Sequence, residues 1–155
     1  NDPDSPQTSS PHEMQRYLSK ISGPLLDRID IHIEVTPVPF EKLSDDQKAE
    51  SSVDIRKRVT AAREIQTERF EQMEHIHYNA QMNTKHIREY CALDDVSKQL
   101  LKTAMERLNL SARAYDRILK VARTIADLDA APIVVSSHIA EAIQYRSLDR
   151  DGWLG

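Results

Sequence analysis

Glycine is nearly missing from this chain of 155 residues: there are three, Gly23, Gly152 and Gly155. A loop that wraps phosphate with backbone N–H groups needs several glycines, followed by Lys and Ser or Thr. No such cradle can be built here, and no apolar strand ends in the paired acids that hold magnesium. By itself the chain cannot hydrolyse ATP. Cysteine is almost as rare, for Cys91 stands alone. That excludes an internal disulfide and fits a reducing compartment. No apolar run approaches the roughly 20 residues of a membrane span, and no signal-peptide pattern opens the chain. Excess positive charge is absent too: the net charge of −4 and pI near 5.9 argue against a dedicated nucleic-acid or membrane-surface domain. Local basic stripes remain open.

What is present reads as one ordinary domain with a modest core. Residues 1–12 are rich in Pro, Ser and Asp and read as a flexible lead-in; this polar start resembles a cut inside a longer protein. Glu13 to Ser22 suits a short helix. Ile29, Ile31, Ile33 and Val35 alternate with Asp30, His32 and Glu34, the period of a strand with unlike faces. Pro37 and Pro39 end it. A long helix is expected from about Ser51 to Glu71, with Ile55, Val59, Ala62 and Ile65 as its apolar stripe. Residues 72–83 show no regular pattern. Thr84 is read as the cap of a short helix, Asp94 or Asp95 of the next, and Ser111 of the strongest, which runs through Leu128. After Pro132, Ser136 or Ser137 starts a last helix to about Tyr145. The expected fold is mainly α, a helical bundle with one strand in front.

Two segments carry the chemistry. In Gly23-Pro24-Leu25-Leu26-Asp27-Arg28 a rigid turn holds an Asp-Arg pair at the mouth of the strand. A guanidinium fixed there is a fork suited to phosphate oxygens. A plain helix-strand junction with a surface ion pair is the competing reading. Residues 16–35, RYLSKISGPLLDRIDIHIEV, resemble the end of the ATPase core in the Mg-chelatase-like AAA+ proteins, the bacterial competence/branch-migration ATPase family. Residues 110–128, LSARAYDRILKVARTIADL, resemble the lid helix of that family, and Asn79 to Met82 and Ala142 to Arg150 fit its C-terminal region. Two long motifs in the right order cover nearly all of 16–150.

That resemblance implies roles. Arg28 corresponds to an arginine finger acting in trans on ATP held by a neighbouring subunit. Arg113 corresponds to the sensor-2 arginine that reads the γ-phosphate. On the α-helical period Arg113, Arg117 and Lys120 share one face, opposite Ala114, Ile118, Ala122 and Ile125. A solvated basic face is the simpler reading of that cluster, with Arg117 a weaker nucleotide-binding candidate and Arg123 paired to Asp127 within the helix. His75, His77, His86 and Cys91 match no common zinc spacing, so no metal site is assigned. His12, His32 and His138 read as polar surface residues.

The resemblance divides the chain into a lead-in at 1–15, a tail of the AAA+ core at 16–45 and a helical lid at 46–155. It implies a cytoplasmic parent, a ring of identical subunits (a hexamer), that uses ATP and Mg and acts on DNA in recombination. Two alternatives stay open: a magnesium chelatase subunit, and a free-standing helical DNA- or protein-binding module. The latter draws on the helix pair 94–108 and 111–128, which mimics a helix-turn-helix across Asn109 and Leu110. Against it stand the acidic balance and the lack of base-reading residues at the start of the second helix.

Overall fold

A computed structural model describes residues 16, 25, 28–33, 35, 38 and 49–146. Within 49–146 lie five α-helices: α1 (Ser52–Arg69), α2 (Thr84–Tyr90), α3 (Asp95–Arg107), α4 (Ala112–Leu128) and α5 (Ser136–Gln144), with a 3-10 turn at Asn79–Gln81 before α2. Each of the first four begins where a short polar side chain accepts an orphan amide. Ser51 caps α1, Asn83 caps α2, Asp94 caps α3 and Ser111 caps α4. The cap of α2 is therefore Asn83, one residue before the expected Thr84, which becomes the first helical residue. Ser97, whose amide donates to Asp94 Oδ1 at 2.8 Å, holds the Asp94 carboxyl below its usual range.

Helices α3 and α4 end alike. After α3 the Leu110 amide returns to the Met105 carbonyl at 3.0 Å, and after α4 the Ala131 amide returns to Ala126 at 2.8 Å. Both closures need one residue with left-handed backbone, Asn109 at φ 46° and Ala130 at φ 50°. Asparagine visits that region readily; alanine does so at a cost of about 1–2 kcal/mol.

Helix α4 is the centre of the bundle and packs on α1, α2, α5 and the 3-10 turn, while α3 packs on α5. Its buried residues include Ala114, Ile118, Leu119, Ala122, Ile125 and Ala126. Around them gather Phe70, Met82, Ile87, Leu101, Val134, Ile139 and Ala142. Each fully buried Leu, Ile or Phe contributes about 1.5–3 kcal/mol relative to exposure. Phe70 meets Tyr90 edge to face at 5.7 Å.

Three expectations need correction. No strand occurs among the described residues. Among the described residues the segment at 29–33 has no neighbouring strand to share a ladder with, and it lies against the C-terminal end of the bundle, where the His32 amide donates to the Tyr145 carbonyl. The expected stripe of α1 is buried only at Ala62, for Ile55 and Val59 are exposed and the second buried residue is polar Gln66. His32 and His138 are buried rather than on the surface. His138 accepts the Val135 amide on Nδ1 at 3.1 Å and places Nε2 3.2 Å from Asp129, so it serves as a cap for α5. The helix expected at Glu13 to Ser22 and the boundary at 45/46 fall on residues outside those described, apart from Arg16, which is helical.

Candidate functional site

Arg28 stands in a turn closed by its own amide, which donates to the Leu25 carbonyl at 3.0 Å, and the residue is exposed. The chain then runs onto the bundle and is held at three successive points. The Arg146 guanidinium donates to the Ile29 carbonyl. The Asp30 carboxylate pairs with Arg117 of α4. The His32 amide donates to the Tyr145 carbonyl at 2.8 Å. A cavity of about 320 Å³ lies beneath, lined by Asp30, Ile31, Lys120, Val121, Glu141 and Tyr145 among others.

Arg113 lies one helical turn before Arg117 and is exposed in the first turn of α4. A cation there opposes the helix dipole, which favours negative charge at that end. The same turn offers an arriving anion both a guanidinium and the positive end of a helix. Lys120, the third member of the expected basic face, donates to the Ala80 carbonyl at 2.8 Å and so ties α4 to the 3-10 turn. The structure thus brings Arg113 and Arg117 onto the side of the bundle where the Arg28 segment docks. It commits Arg117 to Asp30 and Lys120 to the backbone.

Behind this face is a buried ionic network that local spacing reveals only in part. The Arg123–Asp127 pair is present, with Nε 3.1 Å from the carboxylate. Asp127 also accepts from Arg69 at the end of α1 and from Asn79 Nδ2 at 2.7 Å. Asn79 in turn accepts from Arg69 at 2.8 Å, donates to Thr124 at 3.0 Å and gives its amide to Gln66 at 3.0 Å. Arg123 satisfies its remaining donors on the carbonyls of Ala131 and Pro132 at 2.6 and 3.1 Å. Burial draws the Arg123 guanidinium below its ordinary value, and Asp127 opposes that shift. Arg69 and Asp127 are 58 residues apart and Asp30 and Arg117 are 87 apart, so no helical or strand period could announce either pair.

Cys91 sits in the core beside this network, and burial pushes its thiol from 9.0 up to about 11. His75 is exposed near Glu74, and His86 accepts the Asn83 amide. Among the described residues no three His, Cys, Asp or Glu side chains gather where a metal ion could sit. None of the helices among them is long and apolar enough to cross a membrane.

Fold and site together define a helical lid-type bundle with one exposed arginine in a turn that leads into it and another at the head of its central helix. The chain belongs to the Mg-chelatase-like family: residues 49–146 match the family described as magnesium chelatase, subunit ChlI C-terminal. Residues 1–43 match the family described as magnesium chelatase, subunit ChlI. Among curated proteins it is 43% identical over 143 residues to the competence protein ComM of Haemophilus influenzae, covering 92% of this chain and 27% of that protein. It is 40% identical over 142 residues to the uncharacterized protein YifB of Escherichia coli, covering 91% and 27%. It is 33% identical over 132 residues to the uncharacterized protein Mb2921c of Mycobacterium bovis, covering 85% and 26%. The chain therefore spans about a quarter of the length of these relatives.

Proposed function

We propose that this chain is the lid and arginine-finger portion of a Mg-chelatase-like AAA+ ATPase that couples ATP binding and hydrolysis to DNA remodelling in recombination. The observation that carries the reading is the placement of two exposed guanidiniums. Arg113 leads the central helix, and Arg28 stands two residues before the Asp30 that docks one turn further along the same helix. The name of one relative, a competence protein, supports the link to DNA.

Nucleotide, when bound with Mg²⁺, supplies the phosphoryl group to be cleaved. With only Gly23, Gly152 and Gly155, the chain lacks a phosphate cradle, so that cradle belongs to the rest of the full-length protein. The contribution of this chain is cationic. Arg28 offsets charge on the departing γ-phosphoryl group at the neighbouring subunit of a ring, the hexamer of the family. Arg113 carries the phosphate state to the lid.

Substituting Arg28→Ala in the full-length protein is expected to lower ATP turnover by about 10³- to 10⁵-fold, because a finger supports the transition state. ATP affinity stays near that of the unmodified protein. Steady-state hydrolysis together with nucleotide titration measures both, and unchanged turnover would remove Arg28 from the mechanism.

A further inference from the structure

The three contacts that hold the segment after Arg28 all come from the bundle, and each reaches it within four residues of that arginine. Arg146 is fully buried and grips the Ile29 carbonyl, the first backbone oxygen after Arg28. Arg117 takes the next side chain, Asp30, and leaves α4 from the turn that follows Arg113. The Tyr145 carbonyl takes the His32 amide. From Arg28 to Asp30 the chain spans at most about 7 Å, so the position of the turn follows the position of the bundle closely. A surface arginine kept merely for solubility requires none of these ties.

We infer that Asp30, Arg117 and Arg146 form a latch that fixes the Arg28 turn to the helical bundle, so that movement of the lid and placement of the finger are one event. This rests on the proposed role of Arg28 and assigns positioning residues that act through it. Arg146 and the Tyr145 carbonyl set the backbone path. The Asp30–Arg117 pair sets how firmly the turn is pressed to α4. That pair is half-exposed, with side-chain exposures of 49% for Asp30 and 29% for Arg117, so it can open without unfolding the core. It also joins the Arg28 turn to the helix that begins with Arg113. A change of phosphate state sensed at Arg113 would therefore reach Arg28 of the same chain through one salt bridge and one helical turn. Because Arg28 acts on the neighbouring nucleotide, the latch would link successive sites around the ring.

Two readouts test the latch separately from the finger. The first uses this chain alone and follows hydrogen exchange at the His32 amide. Asp30→Ala and Arg117→Ala are each expected to speed that exchange by up to about fivefold, the scale of one partly exposed ion pair, while exchange in α4 is unchanged. The charge swap Asp30→Arg with Arg117→Asp is expected to slow it again. Exchange that stays the same in both single variants would overturn the latch, whatever Arg28 does. The second readout is steady-state kinetics of the full-length protein. Asp30→Ala is expected to lower kcat severalfold with KM for ATP unchanged, the swap to restore kcat, and Asp30→Ala to have no further effect once Arg28 is already Ala. If His32 exchange responds and Arg28→Ala abolishes turnover while kcat ignores Asp30, the positioning role falls and the finger stands. If Arg28→Ala leaves turnover intact, the finger falls, and with it the positioning role.

Discussion

Helices α1 and α4 are almost equal in length, at 18 and 17 residues, but only α4 carries a continuous apolar face along its length; the apolar residues of α1 are sparse among charged ones. The two are used in different ways. Helix α4 buries eight residues, whereas α1 buries two and leaves Val53, Ile55 and Val59 exposed. Helix α1 is held at its C-terminal end, where Gln66, Arg69 and Phe70 enter the bundle. Periodicity reports that a helix can offer an apolar face; whether a neighbour covers it is decided elsewhere in the chain. Here α4 is held mainly by apolar packing, and α1 joins the bundle near its end through Ala62 and Phe70 together with the buried Arg69–Asp127 pair.

The sharpest way to break that contrast is Asp127→Ala. It strands Arg69 and Arg123 beside the core without a counter-ion, and the expected loss is about 3–5 kcal/mol, read from denaturant unfolding. Leu101→Ala, in the purely apolar part of the core, is expected to cost about 2–4 kcal/mol by the same measurement. Val59→Ala on the exposed part of α1 is expected to stay within about 0.5 kcal/mol. A large loss there would mean that α1 is packed along its whole length.

Alkaline titration probes the shared core at Cys91, which follows α2. Below pH 9 the Cys91 thiol is protonated in folded and unfolded chains alike, and its contribution to stability is complete. Between about 9.0 and 11 only the unfolded thiol ionises, so stability falls as pH rises through this window. The expected fall is up to about 2 kcal/mol, and Cys91→Ala should flatten it. Tyr90 and Tyr145, whose hydroxyls are also held up chiefly by burial, act in the same direction above 10.0 and remain in the control.

Smaller effects lie at the helix ends. Ala130→Gly relieves a left-handed alanine after α4 and is expected to raise stability by about 0.5–1 kcal/mol. Arg113→Ala removes an exposed cation from the positive end of α4, so the melting temperature should hold steady or rise slightly. A marked fall would show that Arg113 supports the fold, against its reading as a phosphate sensor.

Most of the bundle was legible because caps and helical spacing are local. Ser111, Asp94 and Pro132 announce the boundaries around α4 and α3 without knowledge of the rest. The turn at Arg28 is seen only as the bond from its amide to the Leu25 carbonyl; the Gly23-Pro24 and Asp27 part of the motif lies outside the described residues. The pairings were not legible. Asp30 with Arg117, and Arg69 with Asp127, join residues from different elements, and their charges look like ordinary surface charges when read alone. The strand expectation at 29–35 failed for the same reason. Alternation records which faces differ, but a strand exists only where a second one lies alongside.

The central claim is that Arg28 acts across a subunit boundary, and mixed rings of the full-length protein test it most directly. One subunit type carries Arg28→Ala, and the other carries a disabled phosphate cradle with Arg28 intact. Each alone is expected to be inactive, and mixing them should restore hydrolysis at interfaces where an intact cradle faces an intact Arg28. An Arg28→Ala protein that hydrolyses ATP normally on its own, or a mixture as silent as its components, would contradict the account.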